Sequence, residues 1–307
     1  MLSGILQLMF NAVDIIVVGR FSGSEALAAV GSTTALINVF TNLFIGISLG
    51  ANVLAARFFA AGRKEEMSET VHTSITLALI SGILMAFVGL VFSKGALELM
   101  GTPEDVIGLS TLYMRIYFMG MPFFMLYNYG AAILRAVGDT KRPLYFLIIA
   151  GVINAGLNMV LVIVFGLGVA GVGIATVFSQ MVSCVLVLTC LCRTEGSYKL
   201  SFSKLSMKGY YLKQIFQVGV PAGIQSTVIN FSNVLLQSSV NSFGSTAMAG
   251  YTAANNILGF LYVSINSVTQ ACMSFTSQNF GVGKYKRMDR VLIDCMILSV
   301  GAALVLG

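Results

Sequence analysis

Two long stretches of this 307-residue chain contain no charged side chain. Pro143–Cys192 runs for 50 residues, and Gln214–Gly283 for 70, without Asp, Glu, Lys or Arg. An ordinary soluble domain has about 25% charged residues, whereas this chain has 10%, with 57% hydrophobic residues and a mean hydropathy of +0.88. The sequence therefore predicts an all-α integral membrane protein.

The apolar runs predict about nine transmembrane helices, since roughly 20 apolar residues cross a bilayer. Glycine-rich GLGVAGVG (Gly166–Gly173) divides the first charge-free stretch into the fifth and sixth spans, and Asn241–Gly250 divides the second into the seventh and eighth. Pro122 and Pro221 are candidate kinks, because proline removes a helical hydrogen bond. The other predicted spans are Met1 to about Gly19, Ala26–Ala56, Val71–Ser93, Val106–Leu134, and a ninth beginning near Val291.

A polar, basic segment separates two groups of predicted spans. We expect an N-lobe at residues 1–193 with helices 1–6, a cytoplasmic linker at 194–213, and a partial C-lobe at 214–307 with helices 7–9. Lys and Arg are distributed fifteen to two between alternate loops, with Arg115 inside the fourth span. Because basic loops stay on the cytoplasmic side, the linker is predicted to be cytoplasmic and the first span to run outward.

The chain matches itself at an offset of 221 residues. Gly23–Ala29 (GSEALAA) aligns with Gly244–Gly250 (GSTAMAG), and Phe59–Lys64 (FAAGRK) with Phe280–Tyr285 (FGVGKY). Six spans separate the copies, which predicts a parallel repeat as in some secondary transporters. The second copy stops in its third span, so we interpret the chain as the first nine spans of a twelve-span protein, truncated at both ends. A native nine-span protein is the alternative.

Asp14 is a carboxylate within the first apolar span. A charge inside a membrane helix costs about 2.5–3.5 kcal/mol on insertion scales and usually marks a functional pathway. At helical rise Asp14 lies about 9 Å from Arg20, in the outer half of the span. Burial favours the protonated carboxyl. A proton taken up from the outer side can then be released inward when the two lobes rock. The alternative is a fixed ion pair with Arg115, although Arg115 is more simply explained as reaching the outer interface.

Other classes of function have little support in the sequence. The five cysteines form no CxxC and His72 is the single histidine, so we expect no metal site. No basic stripe with interleaved aromatic residues indicates nucleic-acid binding. A membrane-embedded enzyme would need a catalytic motif such as HExxH or GxSxG, and the spans contain neither. We therefore expect no catalytic residues and no cofactor.

Five separate stretches of the sequence form recognisable motifs. They are DIIVVGRFSGSEALAAVG (Asp14–Gly31), AAILRAVGDTKRP (Ala131–Pro143), GVAGVGIATVFSQ (Gly168–Gln180), VGVPAGIQ (Val218–Gln225) and SQNFGVGKYKR (Ser277–Arg287). Together they resemble the multidrug and toxic compound extrusion (MATE) family, and the resemblance extends over the whole chain. The resemblance implies a MATE/MOP-type fold of two pseudo-symmetric six-helix bundles facing a central cavity. It implies an antiporter, expected as a monomer in the bacterial cytoplasmic (inner) membrane among lipids, that exports small organic cations in exchange for H⁺ or Na⁺.

The resemblance also implies roles for particular residues. Asp14 falls on the family's first-helix aspartate, Asn158 on a fifth-helix asparagine and Thr176 on a sixth-helix threonine, and these three are the expected ion-coupling residues. Val162 and Ile229 replace a second aspartate and a NorM-like glutamate, which favours a DinF-like branch and weakens a Na⁺ site. The residues expected to line the substrate cavity are Asn38, Asn42, Asn154, Gln225 and Tyr262.

Two further functions stay open beside cation export. A flippase for lipid-linked oligosaccharides of the same superfamily would need a more cationic cavity. An inactive fragment would result if an incomplete second lobe cannot close the cavity.

Overall fold

The computed structural model describes residues 6, 13–14, 16–99, 102, 104–241 and 245–306, and every regular element among these residues is helical. The predicted all-α class is thus confirmed. The elements are α1, helical at residues 13–14 and 16–21; α2, Gly23–Ala60; α3, Lys64–Leu99; α4, Glu104–Met119; α5, Met121–Ala136; α6, Lys141–Asn158; a π-helix, Met159–Val164; α7, Gly168–Arg193; a 3₁₀ turn, Phe202–Lys204; α8, Gly209–Asn241; α9, Ser245–Gly281; and α10, Tyr285–Leu306.

Four stretches of the described chain are long and apolar enough to cross a membrane. They are Glu25–Ala60, Lys64–Leu99, Lys141–Val164 and Gly168–Arg193. The predicted break at Gly166 is present, and Gly166 takes the left-handed φ of +64° that a residue with a Cβ rarely adopts. Most of the predicted first span, and residues 242–244 of the predicted seventh-to-eighth connection, lie outside the described residues.

The fourth predicted span is two helices rather than one. Helix α4 ends at Met119 and α5 starts at Met121, with Pro122 in the first turn of α5. Proline has no N–H to donate to the carbonyl of Phe118, so a new helix starts here instead of the old one continuing. Pro221 behaves differently, because α8 continues through it.

A π-helical segment that the sequence did not predict follows α6. It covers Met159–Val164 and begins directly after Asn158, and Phe165 N–H donates to the Val160 carbonyl over 3.1 Å. Wider π turns of this kind are frequently found at functional positions within helices. The segment places Val162 in the protein interior, 4% exposed.

Helix α5 lies at the centre of the N-terminal bundle. It packs against α2, α3 and α7, and most of its residues are buried. Its small residues and methionines fill the space between these helices, as dense packing requires. By contrast, the outer faces of α3 and α10 expose large apolar side chains such as Phe87 and Ile297, as expected for surfaces in contact with lipid.

The 221-residue repeat is visible in the helix boundaries. Helices α2 and α3 are joined by a turn at Gly62 with φ +69°, and α9 and α10 by a turn at Gly283 with φ +70°. The turns share their hydrogen bonds: Gly62 N–H donates to Phe59 O and Gly283 N–H to Phe280 O, both over 3.1 Å. The two hairpins are therefore copies of one supersecondary unit in backbone geometry as well as in sequence.

Helices up to α7 form one half of the described structure and α8–α10 the other, and α2 joins the two halves by direct backbone contact with α8. We call Gly46, Gly50, Gly219 and Gly223 the glycine seam. A Cβ added at Gly46 would lie 2.2 Å from the Cα of Gly223, and one at Gly219 would lie 2.6 Å from the Cα of Ile47. Two small-xxx-small pairs thus face each other, the arrangement that allows helix axes to approach most closely.

The glycine seam lies in the half of α2 nearer one end of the bundle. We call this end the basic side, defined by the turns at residues 61–63, 137–140 and 282–284 and the segment 194–208. Toward it, Asn52 donates from Nδ2 to the Ala132 carbonyl and accepts from Ser274 Oγ, both over 2.7 Å. Gln278 Nε2 donates to the Ala136 carbonyl over 2.7 Å. The two halves are therefore closed against each other near the basic side.

Candidate functional site

Asp14 is buried inside the N-terminal bundle. It lies on α1 and is 8% exposed, so its carboxylate faces other helices and not the lipid. The helix ends at residue 21, away from the basic side, which agrees with the expected position of Asp14 in the half of the span opposite the basic loops.

Asparagine side chains from α6 approach the Asp14 carboxylate. Asn158 Nδ2 donates to Asp14 Oδ1 and also to Asn154 Oδ1, the latter over 3.2 Å. Asn154 Nδ2 in turn donates to Thr176 Oγ1 on α7 over 3.5 Å. We call these four residues the amide chain. It exists because Asn154 and Asn158 are four residues apart and share one face of α6.

The predicted alternative of a fixed Asp14–Arg115 ion pair is wrong. The ion pairs within the described residues are Arg63–Glu66, Lys94–Glu98, Arg142–Asp139 and Lys208–Glu69. Arg115 is exposed on α4. A long cationic side chain at this position reaches the surface because it keeps its charge solvated there. The carboxylate is thus held by a neutral amide.

Helices α4 and α7 add aromatic and polar side chains that the sequence interpretation missed. Tyr113 and Tyr117 lie near Asp14, and the centroids of their rings are 6.1 Å apart. Gln180 Oε1 lies 3.0 Å from the position a Cβ would take at Gly120, in the break between α4 and α5. The i, i+4 spacing of the two tyrosines was the available signal, since it places both on one helix face.

The amide chain contains every predicted ion-coupling residue and one predicted cavity residue, Asn154. The other four cavity residues lie elsewhere. Asn42 donates to the Asn38 carbonyl of its own helix over 2.7 Å, and Asn38 is exposed. Gln225 is exposed on α8, and Tyr262 is 51% exposed on α9. Their role in a substrate cavity stays a prediction.

Asp14 is the one carboxylate in the amide chain. In the part of the chain that the structure describes, no three His, Cys, Asp or Glu side chains lie together as a metal site would require. Val162, at the position where the resemblance described above implies a second aspartate, is buried and apolar.

The fold and the buried carboxylate define the class of protein: a multi-pass helical membrane protein with a parallel internal repeat and an ionisable group inside one bundle. The sequence profile of the MatE family matches residues 1–160 and 221–307. The chain therefore belongs to the MatE family.

Known proteins agree with this membership. The chain is 34% identical over 301 residues to the probable multidrug resistance protein YoeA of Bacillus subtilis strain 168, covering 95% of this chain. It is 28% identical over 291 residues to the probable multidrug resistance protein YpnP of the same strain, covering 94% of this chain. The chain spans 65% and 64% of the lengths of these relatives.

A solved structure of a MATE protein in the straight conformation has the same fold. It superimposes with a TM-score of 0.90 at 23% identity, covering all of this chain and 69% of that one. The MATE-type membrane fold expected from the sequence is thereby confirmed.

Proposed function

We propose that this chain is the ion-coupled part of a secondary antiporter that exports organic cations and drugs across the bacterial cytoplasmic membrane in exchange for H⁺. The observation that carries the proposal is the Asp14 carboxylate, which is 8% exposed and is held by Asn158 rather than by a cationic side chain among the described residues. A carboxylate without a fixed counter-ion is free to exchange a mobile cation.

Asn158 suits both protonation states of Asp14. As it stands, its Nδ2 donates to the ionised carboxylate, while its Oδ1 is buried without a hydrogen-bond partner in the described residues. A rotation of the amide presents Oδ1 to a protonated carboxyl, which then donates the hydrogen bond. Na⁺ would instead need Asn158 Oδ1 and further oxygens, so we propose H⁺ as the coupling ion, with Na⁺ as the alternative to be tested.

The contacts near the basic side support an alternating arrangement of the two halves. With basic loops in the cytoplasm, the glycine seam and the Asn52 bridge close the cytoplasmic face, and Asp14 lies toward the outer face. A proton entering from outside reaches Asp14 in this state. Separation of α2 from α8 then opens the opposite face, as in other repeat-based carriers.

Reconstitution tests the proposal. The protein in proteoliposomes, given a pH gradient and ethidium or tetraphenylphosphonium, is expected to exchange the cation for protons. A sodium gradient at constant pH is expected to drive little exchange. Movement of the cation without dependence on either gradient overturns the antiport proposal. Lipid translocation without cation transport favours the flippase, and movement of neither favours the inactive fragment.

Replacing Asn158 by Ala is expected to slow proton-coupled exchange by about tenfold or more. Hydrogen bonds to a charged group contribute about 1.5–3 kcal/mol, and Ala removes the donor that stabilises ionised Asp14. The matched control is Asn128→Ala, because Asn128 bonds only the Phe124 carbonyl of its own helix among the described contacts. Equal rates for the two variants contradict the role of Asn158.

Replacing Asn52 by Ala is expected to destabilise the contact between the halves. It removes a donor to Ala132 O and an acceptor for Ser274 Oγ, and each buried group left unsatisfied costs about 1–3 kcal/mol. A lower midpoint of thermal unfolding in detergent is the expected result. Asn279→Ala, which removes only a bond to the Phe275 carbonyl of the same helix, is expected to have little effect, and an equal loss in this control counts against the bridge.

A further inference from the structure

His72 occupies a position that the transport function does not explain. It is the one histidine in the sequence. It lies on α3 near the basic side and is not part of the amide chain. The side chain is 3% exposed. A buried imidazole needs partners for both ring nitrogens.

Both ring nitrogens have partners, and the partners fix the tautomer. Nδ1–H donates to the Ser68 carbonyl over 2.6 Å. Nε2 accepts the backbone N–H of Ser201 over 3.1 Å. A ring nitrogen that accepts a hydrogen bond must be unprotonated, so this arrangement holds only the neutral imidazole.

Ser201 belongs to the segment 194–208, which connects α7 to α8 and so joins the two halves. The segment is attached at three further points. Leu200 is 2% exposed, and its N–H donates to the Leu191 carbonyl of α7 over 3.0 Å. Lys208 N–H donates to Thr73 Oγ1 of α3 over 3.4 Å, and Lys208 Nζ lies 4.0 Å from Glu69. Helix α3 therefore holds the segment through neighbouring residues of a single face.

We propose that His72 is a pH-sensitive clasp that holds the segment 194–208 on α3, and that acidification at the basic side releases the segment. The inference rests on these hydrogen bonds and not on the transport function. Protonation puts a hydrogen on Nε2, which then faces the Ser201 N–H donor to donor. The bond is lost and two donors face each other in a partly buried contact, so the protonated ring favours a detached segment.

The charges around this end of α3 do not replace the lost bond. Of the carboxylates on α3, Glu66 pairs with Arg63 and Glu69 with Lys208. The charged side chains at this end of the elements that pack here are Lys64, Glu65, Glu66 and Glu69 on α3; Arg57 on α2; Arg63 in the turn between them; Arg135 on α5; Arg193 on α7; Glu195, Lys199, Lys204 and Lys208 in the segment; and Lys213 on α8. The segment and α8 add Tyr198, Tyr210 and Tyr211.

Hydrogen exchange of the purified protein tests the clasp without requiring transport. Peptides covering residues 199–205 are compared at about pH 7.5 and about pH 5.5, after correction for the intrinsic exchange rates. We expect the protection of the Ser201 amide to fall by about tenfold at the lower pH, the effect of losing one hydrogen bond to a buried acceptor.

His72→Gln is the deciding variant. Its amide oxygen can accept the Ser201 N–H but does not titrate, so protection is expected to be independent of pH. Circular dichroism and thermal unfolding establish that the variant is folded. His72→Lys, which carries a charge at both pH values, is expected to leave the segment unprotected throughout. Equal protection of the unmodified protein at both pH values overturns the proposal, as does the same loss in His72→Gln.

Discussion

Asp14→Asn is expected to reduce proton-driven exchange of organic cations to the rate of empty proteoliposomes. Asparagine has nearly the same volume as aspartate and can still hydrogen-bond Asn158, so the packing around α1 is preserved. It cannot take up or release a proton, and the described part of the amide chain contains no second carboxylate. The measurement is the decay of an imposed pH gradient on addition of the cation.

Asp294→Asn provides the matched control. Asp294 is also a carboxylate within an apolar helix, but it lies exposed on α10. Exchange at the unmodified rate is expected, since the same chemical change is made away from the amide chain. Proton-driven exchange that survives in Asp14→Asn removes Asp14 from the mechanism, whereas loss in both variants places a coupling role on α10 as well.

Gly46→Ala is expected to separate α2 from α8 and to destabilise the closed arrangement by about 1–3 kcal/mol, the usual cost of overpacking. The added Cβ would lie 2.2 Å from Gly223 Cα and 2.4 Å from Gly223 N. Backbone atoms cannot rotate away as a side chain can, so one helix must shift. The expected results are a lower thermal midpoint and a longer distance between spin labels at Arg63→Cys and Lys284→Cys in a cysteine-free background.

Gly31→Ala is the control for this experiment. Gly31 lies on the same helix, and a Cβ added there meets no atom of the described residues within 4 Å. Replacing Gly by Ala within a helix is favourable by itself by about 1 kcal/mol, so this variant is expected to be slightly stabilised. An unchanged label distance in Gly46→Ala contradicts the view that the glycine seam sets the separation of the halves.

The sequence predicted the positions of the helices because their signals are local. Charge-free runs mark the spans, Gly166 marks a break, and the spacing of Gly62 and Gly283 marks the repeat. Asp14 stood out because a carboxylate is rare in an apolar helix. Asn158 and Thr176 came from the resemblance to the MATE family, and the structure brings both into the chain of hydrogen bonds that includes Asp14 and Asn154.

The remaining features depend on which face a helix presents to its neighbours. Asn52 looked like any other amide in a span, and its bridge to Ser274 exists because α2 and α9 cross at that height. In the sequence, Tyr113 and Tyr117 look like ordinary core residues. Their position near Asp14 depends on how α4 lies relative to α1. His72 had no sequence signal, because its partner Ser201 is 129 residues away. The crossing angles and rotations of the helices determine these contacts, and local sequence patterns do not specify those angles.

The matched turns at Gly62 and Gly283 imply that the two helical hairpins are interchangeable parts at the level of the main chain. A chimera in which residues 61–64 and 282–285 trade places should meet the same dihedral requirements at each junction. Any loss of stability or transport in such a chimera would then come from the exchanged side chains. It would distinguish the specialised functions of the two halves from the backbone geometry that they share.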